Sequence, residues 1–188
     1  MTYTATLVLG LIAERPLGAY EMLKVLERVN IRRWYQVSDA SIYQAVRKLE
    51  GQGYVEGKPV REGNNPEKTI YSATGKGLTV LPEMLLSYIE APNSPREAID
   101  IAILFLCHIP RDVAIKTLEY RILTLSAEVA RSEQMIGSMA PGTDLPFIAR
   151  LMVRHNLLEK RALVTTLTEL KDSAAESARW DYFVAKGQ

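Results

Sequence analysis

Residues 38 to 51 (SDASIYQAVRKLEG) bring Tyr43, Gln44, Arg47 and Lys48 within about one and a half turns of a helix. At about 100° per residue, Ile42, Val46 and Leu49 share one face, with Ala45 beside them. Ala40, Gln44, Arg47, Lys48 and Gly51 lie opposite, and Tyr43 sits at the boundary one turn from Arg47. Such a helix has an apolar back for a core and a short, amide-bearing, basic front. Gln and Arg have the donors and acceptors to read base edges in a major groove, while Lys and Ser serve phosphates. Ser38 is placed to cap the helix, and the unpaired N–H groups of its first turn, near Ser41, favour an anion. The competing reading is an ordinary solvated amphipathic helix.

The segment C-terminal to this helix favours the first reading. Tyr54 to Val60 and Thr69 to Ala73 read as two strands, the second alternating β-branched and aromatic residues with small polar ones. Between them, Arg61 to Lys68 (REGNNPEK) carries a turn signature. Lys58, Arg61 and Lys68 cluster about a tip at Asn64-Asn65-Pro66, although Glu62 and Glu67 dilute them. From Lys24 to Lys76 there are ten Lys or Arg against six Asp or Glu, on a chain whose net charge is only +1. A local excess of four is the kind of patch that phosphate neutralisation needs. The candidate DNA-contacting residues are therefore Ser38, Ser41, Tyr43, Gln44, Arg47, Lys48, Lys58, Arg61, Asn64 and Lys68.

These residues need a scaffold. Residues 5–12 (ATLVLGLI) read as a helix ending near Pro16, with Leu17-Gly18 as a turn, and Ala19 to Val29 is amphipathic at a helical period. After the hairpin, Leu78 to Glu90 reads as a helix interrupted or kinked at Pro82. Helix, helix, helix, two-stranded wing, helix is the order of a winged helix-turn-helix. The expected fold is mainly α: a DNA-binding domain over residues 1–90 and a long-helix dimerisation domain over 94–188.

Three segments match a known family in order and spacing. They are Gly18-Ala19-Tyr20-Glu21-Met22, Ser41 through Val55 (SIYQAVRKLEGQGYV), and Ile70 through Gly77 (IYSATGKG). Over about residues 5 to 90 the chain resembles the PadR family of transcriptional regulators. The C-terminal half resembles, in length and helix pattern, the helical domain of the longer PadR subgroup, also seen in virulence activators of the AphA type. The resemblance implies a homodimer acting mostly as a repressor and sometimes as an activator. It also implies that Tyr43, its neighbours and the wing face DNA. Many relatives carry a strongly basic wing strand, whereas this one reads Asn-Asn-Pro-Glu-Lys-Thr-Ile-Tyr.

The second half opens on a linker, Ala91 to Pro95, with Ser94 as N-cap, Pro95 at the first helical position and Glu97 closing a capping box. Ala98 to Ile109 reads as a helix buried on most sides. The next helix, to about Ser138, repeats Ile115, Leu118, Ile122, Leu125, Val129, Ser132 and Ile136 in steps of three and four, a heptad seam with one polar interruption. A further long helix runs from Leu145 to about Glu176. Ile115, Leu118, Ile122, Leu125, Val129, Leu151 and Leu158 are the candidate dimerisation residues. A two-fold dimer would place its recognition helices about 34 Å apart on a pseudo-palindromic operator. The alternative is a seam packed only within its own chain. Some PadR-like proteins bind small aromatic ligands near the dimer interface, and the residues placed to line such a site are Trp34, Tyr35 and Trp180, with Tyr182 and Phe183.

Other classes find little support. The single Cys107 forms no intramolecular disulfide and reads as a small buried hydrophobe. His108 and His155 form no metal motif and read as core or interface residues. No P-loop, dinucleotide turn, HExxH or nucleophile elbow is present, so no enzyme, metal or cofactor is expected. The longest apolar run is about half a membrane span, and a cytoplasmic location is expected. The functional expectation is a homodimeric DNA-binding regulator, a repressor in sense, reading DNA through helix 38–51 and the wing 54–73. A dimeric winged-helix protein-interaction module is its rival.

Overall fold

Residues 5–12 carry no charge, and the helix they form, α1 (Tyr3–Glu14), is buried on nearly every side. A computed structural model of the chain describes all residues except 29, 32–34, 62–66, 139–146 and 181–188. Among the described residues two units separate, residues 1–109 and 110–180. In the first, α1 is the central core element. Thr2 caps it, accepting from the Ala5 amide at 3.2 Å. Around it pack α3 (Asp39–Gly51), α4 (Gly75–Glu90) and α5 (Arg96–Leu104), while α2 (Ala19–Arg28) packs on α3.

Leu17-Gly18 is not simply a turn. It forms β1, pairing antiparallel with β3 (Lys68–Ala73), and β3 pairs in turn with β2 (Val55–Val60). The sheet order is β1-β3-β2, with Leu17 opposite Tyr71 and Gly57 also opposite Tyr71 on the other side. The β2–β3 hairpin is the expected wing, and β1 ties its base to the start of α2.

Three sequence readings change. α4 begins at Gly75, not Leu78, because Thr74 caps it by accepting from the Gly77 amide at 3.1 Å; the helix then continues through Pro82. Pro95, not Ser94, occupies the N-cap of α5, which has no side-chain cap bond. That helix stops at Leu104 instead of continuing to Ile109, and a single 3-10 turn comes next at Leu106–His108. The break seats Phe105, fully buried, with its ring against Gly10 of α1. A Cβ on Gly10 would stand 2.5 Å from that ring. Because α5 packs on both α1 and α4, the first unit extends beyond the linker near residue 90 to residue 109.

The second unit pairs two long helices, α6 (Arg111–Ser138) and α7 (Phe147–Glu176). Lys160 meets Glu128 at 2.7 Å and Arg161 meets Glu133 at 2.5 Å, so charge as well as apolar burial sets their register. Arg111 donates to the Ser177 carbonyl and lies over the Trp180 ring, closing one end of the pair. No helix among the described residues is long and apolar enough to cross a membrane.

A Cβ on Gly77 would lie 2.1 Å from the Tyr54 carbonyl oxygen, whereas one on Gly75 would meet nothing within 4 Å. Gly77→Ala must shift backbone, so it is expected to lose roughly 1–3 kcal/mol in urea unfolding. Gly75→Ala should lose nothing, since Ala is the better helix former.

Candidate nucleic-acid interface

The apolar back of α3 is fully used. Ile42 and Leu49 are wholly buried, and Val46 and Ala45 nearly so, against α1 and α2. Burial of each large side chain contributes about 1.5–3 kcal/mol, which sets the rotation of the helix about its axis. Opposite this face, Ala40, Gln44, Arg47, Lys48 and Gly51 are exposed, as the spacing predicts. Tyr43 is 44% exposed, in keeping with its position at the boundary.

Both ends of α3 are fastened. At the start, the Ser38 hydroxyl accepts from the Ser41 amide at 3.2 Å, while the Ser41 hydroxyl accepts from the Ser38 amide at 3.1 Å and donates to the Ser38 carbonyl at 2.6 Å. This is a reciprocal capping box with Ser at its third position in place of the usual Glu or Gln. Ser38 remains exposed and Ser41 half-exposed. At the end, Gly53 adopts φ +72°. Its amide donates to the Glu50 carbonyl and that of Tyr54 to the Leu49 carbonyl, both at 2.9 Å, the two bonds of a Schellman motif.

The wing is locked to this end. The Glu50 carboxylate accepts from the Gly57 amide of β2 at 3.2 Å, where a Cβ would come within 2.7 Å of it. The Thr74 hydroxyl donates to the Gly53 carbonyl at 2.7 Å, and the Thr74 amide to the Tyr54 carbonyl at 3.0 Å. Lys76 donates to the Gln52 carbonyl at 2.8 Å and lies over the Tyr54 ring. The Tyr71–Thr74–Gly77 spacing in the sequence is thus the joint between α3, wing and α4.

The basic wing residues divide. Arg61 is exposed. Lys58 is exposed and pairs with Glu56 at 3.2 Å. Lys68 bonds Glu21 of α2 at 3.3 Å, and Glu21 also accepts from the Gly18 amide at 3.0 Å. Lys68, at the loop end of β3, therefore braces the wing on α2, a role with no signal in a pattern whose partners lie 47 residues apart. Asn64 lies outside the described residues.

Tyr35 is buried, its hydroxyl 3.2 Å from that of Thr4. With Gln36, Val37, Ser38 and Ser41 the two line an open cleft of about 500 Å³ at the start of α3. Trp180 belongs to the second unit, and Trp34, Tyr182 and Phe183 lie outside the described residues. His108 is half-buried near Glu14, and burial pushes its pKa below the usual imidazole range. His155 is exposed and paired with Glu159, so it is no core histidine. Cys107 is half-buried.

Along the heptad seam, Leu118 and Leu125 are 0% and 1% exposed within a single chain, and Ile115, Ile122 and Val129 are half-buried. Leu151 and Leu158, both 52% exposed, share one face of α7 with Phe147, Ile148 and Met152. Tyr120, Leu123 and Met135 are exposed on α6.

Residues 8–83 match the model of the transcriptional regulator PadR-like family. Over that span the chain is similar to the PadR-like family. The matched span runs from α1 into α4, so every joint described around α3 and the wing lies inside it. No curated protein matches the chain. Among solved structures it is similar to Bacillus subtilis PadR in complex with operator DNA, at 17% identity and a TM-score of 0.43 over 90% of this chain and 98% of that one. It is also similar to smu.1604c from Streptococcus mutans UA159, at 19% identity and TM-score 0.42 over 88% and 96%. Bacillus subtilis PadR in complex with p-coumaric acid gives 18%, 0.41, and 93% and 100%.

The Gly18 amide, and then Lys68, hold the Glu21 carboxyl below the usual carboxylate range. A carboxyl with a depressed folded pKa stabilises the fold above its unfolded pKa of about 4.5 and loses that contribution as pH falls through the folded value. Glu21→Gln should therefore flatten the acid limb of stability below about pH 5, measured by thermal unfolding against pH. An unchanged limb would show that the brace contributes nothing.

Proposed function

We propose that this PadR-like regulator is a homodimeric DNA-binding repressor that reads a pseudo-palindromic operator through α3, with the wing alongside. The observation that carries the reading is the exposed Tyr43, Gln44, Arg47 and Lys48 front on a helix whose other face and both ends are fixed. A preorganised front is what base readout requires, since a helix free to rotate or fray would average its contacts away. The wing takes a smaller share, because Lys58 and Lys68 already have acidic partners in the protein. The protein acts in the cytoplasm without catalysis, and a small aromatic effector belongs to the same reading. Tyr35, beside the start of α3, is the described aromatic placed to sense one.

Dimerisation goes to the exposed faces of α6 and α7. Apolar residues recurring on one side of a long helix mark an association surface. Leu118 and Leu125 support that surface from inside the protomer, so Leu151 and Leu158 are the residues whose substitution tests association without emptying a core.

Two outcomes check this reading. Arg47→Ala should weaken binding to the DNA upstream of its own coding sequence by roughly 1–3 kcal/mol while leaving binding to random DNA nearly unchanged. An equal loss on both would assign Arg47 to phosphate, and no binding by the unaltered protein would favour the protein-interaction module. Leu151→Glu with Leu158→Glu should sediment as a folded monomer with weak operator binding; a surviving dimer would place the interface elsewhere.

A further inference from the structure

A second concentration of positive charge uses none of the residues of α3 or the wing. Arg15, just after α1, and Lys24 and Arg28 on α2 line a surface pocket of about 230 Å³, with Leu17 and Val25 as apolar wall. Glu21 is the only carboxylate among the described lining residues, and it is already committed to the Gly18 amide and to Lys68. Among the described lining residues three cations thus stand against one carboxylate, and that carboxylate already has the Gly18 amide and Lys68 as partners and feels the Arg15 charge as well. Among the described residues the buried Nε of Arg15 has no hydrogen-bond partner. A buried donor left unsatisfied is costly unless something else accepts from it. Lys24 lies 4.6 Å over the Tyr20 ring, which restrains its ammonium. A pocket of this size exceeds the roughly 30 Å³ that a water takes up in the liquid, and guanidinium groups match the oxygen geometry of oxyanions.

We propose that this pocket is an oxyanion site for a tetrahedral phosphate group, accepting from Arg15 and neutralised by Lys24 and Arg28. The phosphate has two sources with the same chemistry: a backbone phosphate of bound DNA, or a free phosphate-bearing small molecule. Only the first rests on the proposed function.

The test compares the unaltered protein, Arg15→Gln and the double variant Lys24→Gln/Arg28→Gln. Thermal unfolding is measured in sodium phosphate and in sodium chloride at matched ionic strength. The unaltered protein should gain about 3–6 °C at tenfold excess over its Kd, saturating with concentration. The variants should show only the non-saturating rise that phosphate gives any protein. The double variant changes two exposed side chains, so it carries the test if Arg15→Gln fails to fold. Binding to upstream DNA is then measured against salt. A slope of log affinity on log salt that is shallower by about 0.9 per contact removed assigns the site to the DNA backbone. An unchanged slope together with the lost phosphate response assigns it to a free ligand. If phosphate raises the midpoint equally in all three proteins and the slope stays the same, the proposal is overturned. If the unaltered protein binds no DNA yet keeps a saturable phosphate response, the pocket stands and the operator-binding reading falls.

Discussion

The Tyr54 carbonyl accepts from the Thr74 amide at 3.0 Å, with Gly77 so close that a methyl group on it would overlap that oxygen. At this one point the end of α3, the root of β2 and the start of α4 are held together. The Schellman turn at Gly53 delivers the chain to it, and the Glu50–Gly57 bond and the Lys76–Gln52 bond brace it from either side. Remove the joint and α3 keeps its apolar face, yet its direct tie to the wing is lost and only the indirect links through α1 and α2 remain. Base readout needs a fixed angle between the two, because hydrogen bonds to base edges weaken steeply with misalignment.

Strand β3 of the wing has its own restraint. β1 pairs with β3, and the Gly18–Glu21–Lys68 cluster links that strand to α2. One basic side chain of the hairpin is thereby spent on structure. Lys58 also has an acidic partner, while Gln44, Arg47 and Lys48 on the front of α3 are exposed. In the second unit, ion pairs and a buried Leu118–Leu125 strip hold α6 on α7, while a row of large apolar side chains on α7 stays in water. That row is the feature on which the proposed dimer rests.

Much of this was legible in the sequence, and the exceptions share a cause. The two faces of α3 come from a 3.6-residue period with charge on one side, and Ser38 announces its cap. Its reciprocal partner Ser41 does not, because a Ser at that position is a weak signal. β1 spans two residues, too few to show a period. Phe105 ends α5 for the sake of a cavity beside Gly10, a contact 95 residues away in sequence that local propensity cannot see. Ser94-Pro95 had the composition of a helix start but not its geometry. The heptad steps revealed an apolar seam correctly but could not say which helix covers it. Leu118 and Leu125 find cover inside the chain, and Leu151 and Leu158 do not.

Operator reading by α3 requires that helix to enter the major groove, where guanine N7 lies. Dimethyl sulfate footprinting of the DNA upstream of the coding sequence reads that atom directly. Two clusters of protected guanines are expected on one face of the duplex, centred about one helical turn apart. Strong binding without any N7 protection, or a protected patch that does not repeat, would contradict groove entry by a pair of α3 helices.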